Sequence, residues 1–198
     1  LEVDNETAKG ADPRNAQFEL YVAAMMHFAG AQVRSAEPDI LCSFDGVRFG
    51  IACKRPQRQP GIARALRDGD RQIRRSGLRG FIAMDLTCVL FPGKQNRIEV
   101  QFDPTAAMVL SNALSSIDDP IRQYVWDLAD SCFGAISYLF VRTLSRSWRS
   151  VGTWSSSRLV PRCEESDYLM NWIDRLSVGL AQSRSKEQAV VWHLAGSQ

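Results

Sequence analysis

Histidine is scarce in this chain: only His27 and His193 are present. That is too few for a histidine-built metal cage or a histidine-based nucleophile triad, and His27, ending an apolar helical run, reads as structural. No glycine-rich GxxxxGK[ST] loop occurs, which excludes ATP-driven chemistry of that kind from this chain. The five cysteines, Cys42, Cys53, Cys88, Cys132 and Cys163, contain no CxxC pair, and an odd number cannot all pair internally. Cys42 and Cys53 sit in apolar strand-like runs, so reduced, buried thiols and a cytoplasmic setting are expected. No run approaches the roughly 18 apolar residues of a membrane span, and the start lacks a secretory pattern. Internal repeats and low-complexity stretches are also missing. The 198 residues, 45% hydrophobic and 23% charged, have ordinary globular composition and suffice for one sizeable domain.

Charge is present but unevenly placed. From Lys54 to Arg79 the chain carries nine Lys or Arg against Asp68 and Asp70, a local +7 on a chain whose net charge is +2. A basic stripe on a nearly neutral protein points to a polyanionic partner, the alternative being a solvated helix face. Tracing 100° per residue from Ile62, the apolar positions Ile62, Leu66 and Ile73 share one side. Arg64, Arg67, Arg71, Arg74 and Arg75 share the other. Amphipathicity requires a polar face but not five arginines, whose planar forks suit phosphate. With Arg55 and Arg58 just upstream, they form the expected nucleic-acid-binding set; docking against a partner subunit is the alternative.

The pattern along the chain predicts an α/β fold with a mixed central sheet flanked by helices. Residues 1–11 are polar and read as a flexible arm. Asp12-Pro13 signals a helix start, with apolar residues recurring from Phe18 to Ala29 until Gly30. Val33 begins a short extended stretch. Asp39–Phe44 and Val47–Lys54 read as a hairpin about the turn Asp45-Gly46. On the return strand, alternation places Arg48, Gly50, Ala52 and Lys54 on one face. Gly61–Ser76 reads as a second helix stopped by Gly77, and Gly80–Leu86 as a strand buried on both faces. Further on, Arg97–Phe102 and Ala135–Leu144 read as strands. Pro104–Ile117 and Asp119–Ser131 read as two helices, Trp148–Val160 as a hairpin, and Glu164–Leu180 as an amphipathic helix. The five tryptophans, Trp126, Trp148, Trp154, Trp172 and Trp192, are expected as core or interface anchors. One domain over 12–198 is expected, with its core at 13–86 and additional α/β elements over 87–198; a boundary near Thr87–Gly93 is the alternative.

Hydrolysis of a phosphodiester calls for a divalent cation held by hard oxygens, and a basic group to position water or offset charge. A hairpin can supply both, because Asp39 opens one strand while residues 52 and 54 point to one face of the next. Pro38-Asp39, then a hairpin, then Ala52-Cys53-Lys54, resembles the PD-(D/E)xK signature of the restriction-endonuclease-like nucleases, over about residues 13–86. The resemblance implies a metal-dependent endonuclease acting on DNA with Mg²⁺ or Mn²⁺, in the cytoplasm, with a role in prokaryotic defence or repair. Carried over residue by residue, Asp39 is a metal ligand, Cys53 offers its carbonyl, and Lys54 assists the attacking water. Glu19, a charge beside the apolar stripe of the first helix, matches the helix-borne Glu that many members carry. Members that cut both strands often work as dimers, so a homodimer or larger assembly fits the resemblance.

Position 52 departs from the pattern, since Ala52 stands where those nucleases carry Glu or Asp. Arg48-Phe-Gly-Ile-Ala52-Cys-Lys54-Arg55 resembles an IECKR-type strand with its acid exchanged. Three explanations stand: a substitution made to trap a nuclease uncut, a natural inactive homologue that binds nucleic acid or assembles with partner proteins, or a site located elsewhere.

Overall fold

The computed structural model describes residues 8–92, 97–100, 103–145 and 151–162, together with the helical positions Asn171, Arg175 and Val178. Helix α1 (Ala8–Phe28) is followed by strands β1 (Gln32–Ala36), β2 (Asp39–Phe44) and β3 (Val47–Lys54). Then come α2 (Gly61–Arg75), β4 (Gly80–Asp85), the single turn α3 (Thr87–Leu90) and β5 (Arg97–Val100). The described chain closes with α4 (Asp103–Trp126), β6 (Cys132–Ser145) and β7 (Val151–Pro161). The fold is α/β with a mixed, open sheet flanked by helices.

The sheet runs β1-β2-β3-β4-β6-β5, with β7 also paired to β6. The first three strands form an antiparallel meander. Its second turn carries Asp45 and Gly46 at φ 52° and 78°, the left-handed pair that matches the twist of a two-residue hairpin. β4 then joins β3 in parallel through the crossover helix α2. All six residues of β4 are buried, as expected of a parallel strand covered on both faces. The long β6 pairs in parallel with β4 through its first half and with β5 at its end, while β7 runs antiparallel beside it.

Alternation along the strands divides the core in two. On one face Phe18, Val22, Met25 and Met26 of α1 pack on Ile40, Phe49, Ile51, Phe81 and Tyr138. On the other, Ile62, Leu66 and Ile73 of α2 and the stripe Leu110, Leu114, Ile117, Ile121 and Val125 of α4 cover Ala52, Ile82, Met84 and Leu139. α2 comes close to β4 because Gly69 carries no side chain: a Cβ there would lie 2.9 Å from Ile82 Cγ2. This close approach, bought at about 1 kcal/mol of helix propensity, brings the next turn of α2 down to the end of the β2–β3 hairpin.

Several expected boundaries are corrected. α1 begins at Ala8 with Pro13 inside it, not at Asp12-Pro13, so residues 8–11 are helix rather than arm. Proline fixes a φ that suits a helix and forfeits one backbone bond, so it permits a start without compelling one. Asp103–Trp126 is one helix containing Pro120, not two. The apolar stripe from Leu110 to Val125 stays buried across the proline. At roughly 1.5–3 kcal/mol per buried side chain, that stripe outweighs the ~3 kcal/mol cost of proline. The stretch expected as a separate hairpin contributes one strand, β7, which folds back on β6. Trp126 lies on the surface at 52% exposure; the other four tryptophan side chains, residues 1–7 and most of the expected helix 164–180 lie outside the described residues. Among the described residues no helix is long and apolar enough to cross a membrane. Cys42, Cys53 and Cys132 are free thiols, and burial pushes Cys42 and Cys132 up to about 12.

Candidate active site

The antiparallel register pairs Ile40 with Ile51, so the next step outward sets Asp39 opposite Ala52. Ala52 belongs to the cluster under α2, and Asp39 bonds to α2 through Gln72; the two therefore share a face. The backbone N–H of Cys53 donates to Asp39 Oδ2 at 2.7 Å. Lys54 Nζ stands 3.9 Å from the same oxygen, and both side chains keep about a fifth of their surface exposed, 22% and 20%. The pair is thus partly withdrawn from water yet reachable.

Gln72 completes the arrangement. Its Oε1 accepts from Lys54 Nζ at 2.5 Å, and its Nε2 donates to Asp39 Oδ1 at 2.7 Å and to the Pro38 carbonyl. One amide therefore ties the acid to the lysine. Glu19 reaches the same region from α1. Its carboxyl is raised above its ordinary range, first by burial and then by the neighbouring Asp39 carboxylate, with Lys54 pulling the other way. The Cys53 thiol packs on the α1 side of the sheet, and burial first, then the nearby charges of Asp39 and Glu19, raise it well beyond the normal thiol range; what Cys53 visibly gives the cluster is its N–H.

The sequence-expected residues Asp39, Lys54, Glu19, Ala52 and Cys53 are thus gathered at one end of the hairpin. Among the described residues no three His, Cys, Asp or Glu side chains form a complete metal cage. Ala52, fully buried, presents only a methyl beside Asp39. A hard cation needs several oxygens, and the cluster as written offers the carboxylates of Asp39 and Glu19.

The basic residues divide. Arg58, Arg64, Arg67, Arg71, Arg74 and Arg75 are exposed. Arg64 and Arg71 each lie 3.6 Å from Asp68, and Arg74 lies 3.1 Å from Asp70. The two Asp68 pairs face solvent, are worth little and rearrange readily, whereas Asp70 is buried and holds Arg74 from within. Arg55 does not join this face. Its side chain is 11% exposed and its Nε bonds Asp85 Oδ2 at 2.8 Å, so it belongs to the interior rather than to the arginine surface. Gln72 and Asp85 escaped sequence reasoning. Asp85 leaves a signal, a lone acid closing an apolar strand, whereas Gln72 is an unremarkable polar residue on a helix.

Comparison with protein-family models, with curated proteins and with solved structures finds no match to this chain.

Proposed function

We propose that the hairpin end is the site of a metal-dependent nuclease of the PD-(D/E)xK kind, left incomplete by Ala52 and acting on DNA. The observation that carries this reading is the convergence of Asp39 and Lys54 at 3.9 Å, on the face where Ala52 is the adjacent position. The donor set fits a divalent cation in kind. Asp39 and Glu19 carry hard oxygens; burial first and the Asp39 charge second raise the Glu19 carboxyl, and a cation bound beside them would favour its ionised form. Asp39 and Glu19 would hold Mg²⁺ or Mn²⁺, with the Cys53 carbonyl as the expected third donor. When bound, the cation supplies Lewis-acid polarisation of the phosphoryl group.

The chain's own residues do the remainder. Asp39, fixed by the Cys53 N–H, holds its carboxylate in one orientation. Lys54, steadied by Gln72 Oε1, presents positive charge where negative charge develops on the phosphate and where water must be oriented. The exposed arginines of α2 supply the polyanion contact.

A second reading is favoured by the packing of Ala52. Its methyl lies wholly inside the apolar cluster beneath α2, as suits a module that keeps the fold and binds nucleic acid or a partner protein without cutting.

The test is a cleavage assay of Ala52→Glu on linear, supercoiled and single-stranded DNA and on RNA, with Mg²⁺ and with Mn²⁺. The nuclease reading expects cutting that EDTA abolishes, as does adding Asp39→Ala or Lys54→Ala, and near-inactivity of the chain as written. Folded Ala52→Glu protein that cuts nothing leaves the binding module, and equal activity with and without the change moves the site elsewhere.

A further inference from the structure

The two faces of the β1–β3 meander carry opposite chemistry. Register sets Arg34 opposite Leu41, which in turn pairs with Gly50, and sets Gln32 opposite Ser43, which pairs with Arg48. These two rows continue the Asp39–Ala52 row on the α2 side of the sheet, because the alternate residues Ile40, Cys42, Phe49 and Ile51 all pack under α1. On the α2 side the three strands present Arg34, Arg48 and Lys54 against the single acid Asp39. On the α1 side they present no charged residue.

Packing does not account for the two arginines. α2 lies over β3 and β4, and Arg34 and Arg48 remain exposed beyond it. Among the described residues no acid pairs with Arg34, Arg48 or Arg75, unlike Arg64, Arg71 and Arg74, which have Asp68 or Asp70. Arg75 borders the same face from α2: it stands three residues beyond Gln72, one turn along the helix side that reaches Asp39. Rows two residues apart on a strand are separated by ~6.8 Å, about two nucleotide steps of ~3.4 Å each. Three guanidinium groups without acids thus line one face that leads to Asp39 and Lys54.

We propose that this face is a track for the backbone of DNA, on which Arg34, Arg48 and Arg75 each take a phosphate and lead the strand to the Asp39–Lys54 cluster. The proposal rests on the nuclease reading only in making that cluster the strand's destination. A planar guanidinium donates two parallel bonds to a phosphate, which holds the backbone in register as well as attracting it. The track adds two residues of the meander to the arginines of α2, so the nucleic acid lies between them, with α2 as one bank and β1 as the other.

The experiment is fluorescence anisotropy of labelled duplex and single-stranded DNA over a salt series, in EDTA so that nothing is cut. The proteins are the chain as it stands, Arg34→Gln with Arg48→Gln, Arg34→Lys with Arg48→Lys, and Arg122→Gln, an exposed position of α4 over β6 and β7. Each phosphate contact contributes about 0.9 unit to the slope of log K against log salt on duplex and about 0.7 on a single strand. The double glutamine variant should therefore bind more weakly and lose ~1.8 or ~1.4 units. The double lysine variant should keep the slope, and Arg122→Gln should leave it unchanged. Both meander positions are exposed, where substitutions disturb folding little. An unchanged slope in the double glutamine variant would overturn the track. So would the same loss in the lysine variant, an equal loss per residue in Arg122→Gln, or no binding of either DNA by the chain as it stands. The cleavage assay of Ala52→Glu judges the nuclease reading separately: cutting with an unchanged slope removes the track alone, and a lost slope without cutting keeps the track on a module that only binds.

Discussion

Arg55 Nε lies 2.8 Å from Asp85 Oδ2, with the two side chains only 11% and 8% exposed, so the residue after Lys54 is clamped to the end of β4. The other oxygen of Asp85 accepts from the Thr87 N–H at 2.9 Å and the Thr87 hydroxyl at 2.5 Å. That hydroxyl in turn accepts from the Phe140 N–H at 3.0 Å. One carboxylate thereby joins the residue after β3 to β4, α3 and β6, at the end of the central strands where Lys54 emerges. Breaking a buried pair leaves an uncompensated charge, so Asp85→Ala should lower the unfolding free energy by about 3–5 kcal/mol. Asp68→Ala, which breaks exposed pairs, should cost about 0–1 kcal/mol. Urea unfolding of both variants checks the contrast, and similar costs would mean that the clamp is not what holds this edge.

Glu19 gives a pH dependence whose sign follows from its environment. Its folded-state pKa is raised above the ordinary 4.5, with burial the first cause and Asp39 the second. Between those two values the folded state holds more proton than the unfolded one, so this group's contribution to stability falls as pH rises. Glu19→Gln should therefore raise the melting temperature at pH 7, and the gain should vanish once the pH drops below the ordinary carboxyl range. Melting curves from pH 3 to 8, from about one unit below the ordinary carboxyl range to well above it, measure it. A gain that persists at low pH would point to packing rather than charge.

The arginine face can be tested through its acids as well as its bases. Asp68 holds both Arg64 and Arg71 at 3.6 Å. Asp68→Asn removes a negative charge and frees two guanidinium groups, so it should tighten DNA binding and steepen its salt dependence. Replacing Arg67, Arg71 and Arg74 by Ala should weaken binding and flatten the slope of log K against log salt by up to ~3 units. Affinities over a salt series decide, and a slope indifferent to all four changes would assign this face to a protein partner.

Legibility in the sequence tracked the range of the forces involved. The β2–β3 hairpin was readable because Asp45-Gly46 and strict alternation are local, and the observed strands have the expected bounds, 39–44 and 47–54. α2 was readable from its stripe and its stop at Gly77, which takes φ +70°. The proline-based boundaries misled, because burial of a stripe contributed from distant strands overrode a local penalty of ~3 kcal/mol at Pro120. At the site, residue types and alternation sufficed to bring Asp39 and Lys54 together. Gln72 was invisible because it lies beside the apolar stripe, where a glutamine is unexceptional, and only the packing of α2 on β4 carries it to Asp39. Arg55 misled for the same reason: its partner Asp85 is distant in sequence, and nothing local distinguishes a buried guanidinium from an exposed one.

Position 52 makes a thermodynamic prediction independent of cutting. Ala52 is fully buried among apolar neighbours, one register step across from Asp39. A carboxylate introduced there is desolvated and set beside a like charge, so Ala52→Glu without metal should be destabilised by about 3–5 kcal/mol, some 6–20 °C at ~2–4 °C per kcal/mol for a chain of this size. A divalent cation that binds the folded state alone returns about 2.7 kcal/mol at a hundredfold excess over its Kd. The melting temperature of Ala52→Glu should therefore be depressed in EDTA and raised again by Mn²⁺, with a much smaller response from the chain as written. Adding Asp39→Ala should remove the recovery, since the cation then loses the ligand opposite. Scanning calorimetry of all three proteins with EDTA and with Mn²⁺ measures this, and an equal Mn²⁺ response from Ala52 and Ala52→Glu would show that position 52 does not face the cation.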